Sequence, residues 1–557
     1  MRTWYFLLLL LCLHIPAVCL RAQSVRDIEA AYEANSQRNW DEAIRLFTLL
    51  KSQNPYDPQY TVRLAFALQN AGRYPESVKA FEEAVKTGPW PDIYWYQIAT
   101  SYAKMNDTAN TIAAVKKSVA SRWPDYQRLE NDKNLELIKA HPEFLKILGK
   151  TLPANATRTE QWQADFNFLD EKLKLLHFNL YNRHTPAIWD KLAKEIRNGI
   201  SRWSNAKIIA ALMQYAALAG EGHTKIIPPK EANDAFHTIP VTLYHFTDGI
   251  YIISATREYK EYVGKKVTAI GGAAIGELFE KSYRYAGHEN DFHHKKISMR
   301  FLVTAELLKE MGAEVTTNEI PVTIETGPGK TKIIKIKTGT QKETESIPKE
   351  EWVAMNHAAT AKTPLYLQQP DDDFYFIADT TNKLMYLKIK YIANQDKLRF
   401  SAFTDSVFAL IDNLSLQRLV LDVRDCGGGN SNLNPYLINH ILKRPALNTG
   451  NHFFTVIGRN TYSAAINLVN DLEYRTNTTL IGEPAGSSPN YIGESNVLQL
   501  PYSRLYLIIS NRYHQGGANN SLDKRPWIAP HILIEPAPDD YRNNRDPVMN
   551  FIYETGK

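Results

Sequence analysis

One run of residues, 419–486, limits what this chain can fold into. It opens with an apolar strand, Leu419-Val420-Leu421-Asp422-Val423, which breaks at Arg424-Asp425-Cys426-Gly427-Gly428-Gly429-Asn430. A second apolar strand over 453–457 leads into Gly458-Arg459-Asn460-Thr461-Tyr462-Ser463-Ala464-Ala465. An amphipathic helix pattern follows, with Ile466, Leu468, Val469 and Leu472 apolar. A third strand, Thr479-Leu480-Ile481, ends in Gly482-Glu483-Pro484-Ala485-Gly486. Just upstream, 384–389 reads as a strand and 400–414 as a helix with Phe403, Val407, Leu410 and Ile411 on its apolar face. Strands alternating with helices predict an α/β sheet covered by helices.

The residue types suggest acyl transfer. A Ser at a strand-to-helix junction lies at the positive end of the helix dipole. Small neighbours, Ala464 and Ala465, let a substrate approach, and the amide after the Ser can point at a reacting carbonyl oxygen. A Gly-rich loop on the neighbouring strand can offer further amides. Ser is also among the commonest helix N-caps. The order of the pieces therefore carries more weight than Ser463 alone.

These pieces resemble the tail-specific (C-terminal processing) and tricorn clan of serine peptidases. The resemblance rests on Leu421-Asp422-Val423-Arg424 with Gly427-Gly428-Gly429, on Thr461-Tyr462-Ser463-Ala464-Ala465, and on Ile481-Gly482-Glu483-Pro484-Ala485-Gly486. It covers roughly 160–557. It implies a ClpP/crotonase-like core with Ser463 as nucleophile. The implied oxyanion hole is the Ala464 amide with one from 427–429, Gly428 or Gly429. Where the family carries an Asn between the Arg and the glycines, this chain has Asp425-Cys426.

A serine needs a base. The tail-specific branch uses a Lys about two dozen residues after the Ser, but 464–523 contains no Lys and the first is Lys524. The base is then expected to be a His, as in the tricorn branch. His223, in Gly220-Glu221-Gly222-His223-Thr224, is the best placed by motif, with His514 the runner-up. The resemblance gives Asp523, before Pro526-Trp527, as the acid that orients the base, and Glu494 as the alternative.

The N-terminal region has its own signature. Ala31, Ala65 and Ala99 are 34 residues apart, as are Ile44, Val78 and Ile112, and Phe47, Phe81 and Val115. That period predicts tetratricopeptide repeats, helical hairpins that bury their apolar faces only by stacking. The array (23–150) is expected to bind a protein partner or to serve as a spacer. A polar connector follows over 151–159. A helical cap (160–235) carries Phe166, Leu169, Leu173 and Leu176. A β-rich module (236–345) resembles the latter half of a PDZ module in its Val263-Gly264 to Gly271-Gly272 stretch. Residues 346–372 read as a linker and 370–557 as the peptidase core. His288, Glu289, His293 and His294 cluster, but their spacing fits no standard metal-ligand pattern, so neither metal nor organic cofactor is expected.

Arg2 and the apolar run over 5–13, with Ala17 and Ala22 after it, read as a cleaved export signal (1–22), with a lipid-modified Cys19 as the lesser alternative. The expected location is periplasmic or extracellular, with no stable transmembrane anchor. Removing 1–22 takes the net charge from +5 to +3, too little to argue for nucleic acid. Cys426 is then the one remaining Cys, so no internal disulfide holds the fold.

Overall fold

The structure is a computed structural model that describes residues 25–227, 236–516 and 521–555. The expected export signal, with Cys12 and Cys19, lies outside these residues. The chain forms two compact units, dividing between Pro153 and Ala154.

In the first unit the repeated apolar positions lie on helices Val25–Ser36, Trp40–Gln53, Pro58–Asn70, Tyr74–Thr87, Pro91–Lys104 and Thr108–Ala120. Ala31, Ala65 and Ala99 are fully buried, as are Phe47, Phe81 and Val115. A residue with positive φ recurs at Arg38, Gly72 and Asn106, with φ of 58°, 77° and 57°. Each lies just past a helix and lets the chain reverse. The next residue is the N-cap of the following helix, and Asn39 and Asp107 cap it with their side chains. The period in sequence is thus a period in turn geometry as well as in packing.

The second unit begins with helices Arg158–Leu176, Pro186–Gly199 and Asn205–Ala217. The last of them leads through Gly220 to His223 into the strand Lys225–Ile227. That strand pairs antiparallel with Tyr506–Ile509. Asp165 on the first helix accepts the amides of Tyr502 (2.9 Å) and Ser503 (2.7 Å), so these helices are tied to the C-terminal hairpin.

The β-rich module is a seven-stranded antiparallel sheet. One of its strands, Trp352–Ala354, pairs with residues 254–256 and falls where a linker was expected. It supplies partners to the backbone groups that an open edge would leave unpaired.

The core sheet has six strands in chain order: β1 (Phe374–Asp379), β2 (Leu384–Ile389), β3 (Arg418–Asp422), β4 (Phe453–Ile457), β5 (Thr479–Gly482) and β6 (Ile532–Leu533). β1 is antiparallel to β2 and the others run parallel. Helices α1 (Phe400–Asn413), α2 (Asn434–Leu442) and α3 (Ala464–Arg475) pack on one face around Leu387, Leu419 and Leu421. The C-terminal helix Pro547–Glu554 covers the other, against Tyr386, Val420 and Val456. Burial on both faces explains why β3 and β4 read as unbroken apolar runs rather than alternating ones. The carboxyl ends of β3, β4 and β5 converge, and the loops that follow them build the site.

Candidate active site

Ser463 is the N-cap residue of α3, with φ 56° and ψ −124°. An L-residue held in so sparsely populated a region stores about 1–3 kcal/mol of strain, which surrounding structure must enforce. Three bonds enforce it. The Gly458 amide donates to Thr461 Oγ1 (3.0 Å), the Thr461 hydroxyl donates to the Val423 carbonyl (2.9 Å), and the Tyr462 amide donates to the Cys426 carbonyl (3.1 Å). The Ser463 side chain makes no capping bond to its own helix. Ser463 and Tyr491 line the same cavity.

The glycine loop meets Ser463 directly. Gly428 and Gly429 have φ of 117° and 131°. A Cβ on Gly428 would lie 2.7 Å from the Ser463 Cβ, and one on Gly429 would lie 2.2 Å from the Ile392 carbonyl oxygen. Both positions therefore need glycine for conformation and for space. The Gly427 amide is engaged by the Lys390 carbonyl (3.3 Å). Among the described residues the Gly428, Gly429 and Ala464 amides have no backbone acceptor. Cys426 is fully buried, and burial pushes its thiol up to about 12. It serves as an apolar anchor.

A buried charge network fixes the start of that loop. Fully buried Lys388 on β2 contacts Asp422 Oδ1 (3.1 Å) and Asp425 Oδ2 (2.7 Å). Asp422 also accepts from the Tyr386 hydroxyl (2.6 Å) and the Arg424 amide (3.1 Å). Arg424 forks onto Asp546 at 3.2 and 3.1 Å. Burial alone would raise the Asp422 carboxyl; the Arg424 and Lys388 charges hold it down at about 2.

His223 lies in the turn before the strand Lys225–Ile227 and is buried. Its Nδ1 is 3.0 Å from the Tyr462 hydroxyl, which in turn donates to Glu289 Oε1 (2.7 Å). With the phenol proton committed to Glu289, the phenol oxygen accepts from Nδ1–H. That assigns the tautomer and leaves the Nε2 lone pair free. Among the described residues Nε2 has no hydrogen-bond partner. The ring stacks on Tyr462 (4.7 Å) and on Tyr491 (5.7 Å). Burial lowers the imidazole's pKa and keeps it neutral, against the pull of Glu221 and Glu289. Burial alone would raise the Glu289 carboxyl. The adjacent His293 and His223 and the Tyr462 hydroxyl hold it below its ordinary range. Burial and then Glu289 push the Tyr462 phenol far up, so it stays protonated as the donor.

Ser463, His223, Gly429 and Ala464 line one cavity of about 850 Å³. A more enclosed cavity of about 340 Å³, lined by Tyr244, Tyr366 and Arg459 among others, contains none of these four. Glu494 and His514 line the Ser463 cavity but lie 3.4 Å from each other.

The expected acid, Asp523, is not beside the base. Its carboxylate is held by Arg525 (2.7 Å), which also pairs with Glu473 (2.8 Å), and it lines a separate surface recess. The carboxylates beside His223 are Glu221, 3.7 Å from Nδ1, and Glu289, 4.0 Å from Nδ1. Glu221 accepts the His223 amide (2.6 Å) and the Thr224 amide (2.9 Å) and so shapes the turn. In the sequence Glu289 stands out only as part of a His-rich cluster. Its neighbour His293 stacks on Tyr462 at 4.4 Å, whereas His294 stacks on Tyr283 and His288 packs against that same ring. Ligand atoms of Glu221, His223 and Glu289 lie within 4.8 Å of one another, near enough to gather round a cation. Their hydrogen bonds, however, run to Tyr462, to His177 and to backbone amides.

No family model matches the chain. Among solved structures it is similar to mature CPAF complexed with lactacystin, at 11% identity and a TM-score of 0.49 over 72% of this chain and 98% of that one. It is similar to the photosystem II D1 C-terminal processing protease at 11% identity and a TM-score of 0.34, over 70% and 97%. It is also similar to the tricorn protease at 11% identity and a TM-score of 0.31, over 72% and 37%. A curated relative, a chloroplastic protein of Arabidopsis thaliana, is 23% identical over 103 residues, 18% of this chain. The match spans only 31% of that relative's length.

Proposed function

We propose that this chain is a serine peptidase of the tail-specific and tricorn type that works through a Ser/His pair. The observation that carries the reading is a strained serine at a helix N-terminus sharing one cavity with a buried histidine whose Nε2 has no partner among the described residues. As substrate enters, the Ser463 hydroxyl turns to His223. Nε2 takes the hydroxyl proton as Oγ bonds to the peptide carbonyl carbon. The carbonyl oxygen becomes an oxyanion held by the Ala464 amide and that of Gly428 or Gly429. Collapse breaks the C–N bond, and the imidazolium returns its proton to the leaving amine. Water, deprotonated by Nε2, then releases the acyl group. Glu289, through Tyr462, holds the Nδ1–H tautomer and steadies the imidazolium.

The same reading takes the first unit as tetratricopeptide repeats that bind a partner, the antiparallel sheet as a PDZ-like module and 1–22 as an export signal. Among the described residues no helix is long and apolar enough to cross a membrane.

A second reading, an inactive binding scaffold, is favoured by one observation: among the described residues His223 Nε2 has no hydrogen-bond partner, so it does not hold the Ser463 hydroxyl. A fluorophosphonate probe separates the two. Covalent labelling of wild type, lost in Ser463→Ala and His223→Ala, is the expected result. No labelling of folded wild type supports the scaffold.

A further inference from the structure

Five rings form one stacked series through the site. His293 stacks on Tyr462 (4.4 Å between ring centres, 24° between planes) and Tyr462 on His223 (4.7 Å, 27°). His223 stacks in turn on Tyr491 (5.7 Å, 13°), and Tyr491 on His514 (4.8 Å, 12°). Imidazoles and phenols alternate, and the base is the central ring. The separations are near those of offset-stacked aromatic pairs.

The backbone is shaped to admit these rings. Tyr491 and His514 are direct partners across the two-stranded sheet formed by Tyr491–Gly493 and Arg512–His514, so their side chains share one face. A Cβ on Gly493 would lie 2.7 Å from the Tyr491 ring and 3.0 Å from the His514 ring. At the other end, a Cβ on Gly222 would lie 2.2 Å from the His293 ring and 2.6 Å from the Tyr462 hydroxyl. A side chain at either glycine would push the rings out of line. Tyr491 is 4% exposed, and His514 beyond it is steadied by Glu494 at 3.4 Å.

The mechanism above uses Tyr462, which holds Nδ1, and leaves Tyr491 without a task. We propose that Tyr491 is a positioning residue of the base. Its ring packs near-parallel to the imidazole, limits its tilt, and so keeps Nε2 available to Ser463. Its π system also favours the imidazolium that forms when Nε2 takes the proton, since a cation within about 6 Å of an aromatic ring centre is attracted to it. The inference rests on the peptidase reading for the reaction that this base serves, though not for the packing or the titration of His223.

The groups that face His223 are the Glu221 and Glu289 carboxylates, 3.7 and 4.0 Å from Nδ1, the Tyr462 hydroxyl, and Lys225 and Glu494 on the cavity wall, with His293 and His514 ending the series. A substitution at Tyr491 alters none of them. The test uses the full chain with isotope-labelled histidines, the His223 resonances being assigned by their loss in His223→Ala. Tyr491→Leu supplies apolar bulk without a π system. It should lower the His223 titration midpoint by about half a pH unit or more and slow fluorophosphonate labelling at least about tenfold, measured where the base is neutral. Tyr491→Phe keeps the ring and should restore the midpoint and recover the rate to within about threefold. In a chain that labels, the proposal needs both changes: an unchanged rate, or a midpoint that stays or rises in Tyr491→Leu, overturns it. Tyr491→Phe behaving like Tyr491→Leu also overturns it, because the effect would then lie in the hydroxyl. If Tyr491→Leu fails to fold, Gly493→Ala, which drives a Cβ against the same ring, must lower the midpoint and slow labelling for the proposal to stand. A lowered midpoint without any labelling of wild type sinks the peptidase reading alone. Labelling of wild type with no change in Tyr491→Leu sinks this inference alone.

Discussion

The Tyr462 hydroxyl lies between His223 Nδ1, at 3.0 Å, and Glu289 Oε1, at 2.7 Å, and Tyr462 is the residue before Ser463. In the proposed mechanism the orienting acid thus reaches the base through a phenol attached to the nucleophile's own turn. Any movement of that turn moves nucleophile and relay together.

Removing the phenol oxygen should uncouple them. Tyr462→Phe leaves Nδ1–H without an acceptor in a buried setting, a loss of about 1–3 kcal/mol. We expect probe labelling to slow by roughly tenfold to a hundredfold and the thermal midpoint to fall by a few degrees. A labelling rate equal to wild type would remove Tyr462 from the relay.

The two acids make opposite predictions. Glu289→Gln should slow labelling by about tenfold or more, because a neutral amide steadies the imidazolium poorly. Asp523→Asn should leave it within about twofold, since its partners are on the surface. Parallel measurement on both variants checks the reassignment, and a reversed order would restore Asp523.

The acid limb of activity should lie low. Burial depresses the His223 pKa, so the imidazole stays neutral below the ordinary value. Labelling plotted against pH is expected to fall half-way at a pH below about 6.5. Stability carries the same sign. His223 and His293 are both lowered by burial, so the unfolded chain binds more protons as pH falls below about 6.5. Unfolding midpoints should decline below that pH; a midpoint that rises on acidification would contradict neutral burial.

Gly428 tests the contact between loop and nucleophile. Gly428→Ala places a Cβ 2.7 Å from that of Ser463 at a φ of 117°. Labelling should drop at least about tenfold, and stability should fall by about 1–3 kcal/mol. Circular dichroism with labelling reads both effects.

Lys388→Ala should be among the most destabilising single changes in the core. It removes one of the two cations paired with the fully buried Asp422 and leaves Arg424 (2.9 Å) alone against it. Losses of about 3–5 kcal/mol are typical when one member of a buried pair is removed. Urea unfolding would show this as a lower midpoint with an unchanged slope.

The local patterns along this chain determined much. Residues 34 apart share one environment because each helical hairpin repeats the same turn, down to the positive φ at Arg38, Gly72 and Asn106. The apolar runs before Arg424, Gly458 and Gly482 marked strands buried on both faces, and their order marked the loops that meet at Ser463. These are short-range facts, written in neighbouring residues. The partner of the base was not. Asp523 was picked from its place before a Pro-rich strand, yet nothing local tells which carboxylate a fold will carry to an imidazole. Glu289 is 66 residues from His223 and 174 from Ser463 in sequence. Only the packing of the 291–297 helix against Gly222 brings it to Tyr462. Tyr491 reaches the Ser463 cavity and His223 in the same way. Tertiary structure decided the relay because proton transfer depends on distances of about 3 Å, and those are set by how distant elements pack rather than by what stands next in the chain.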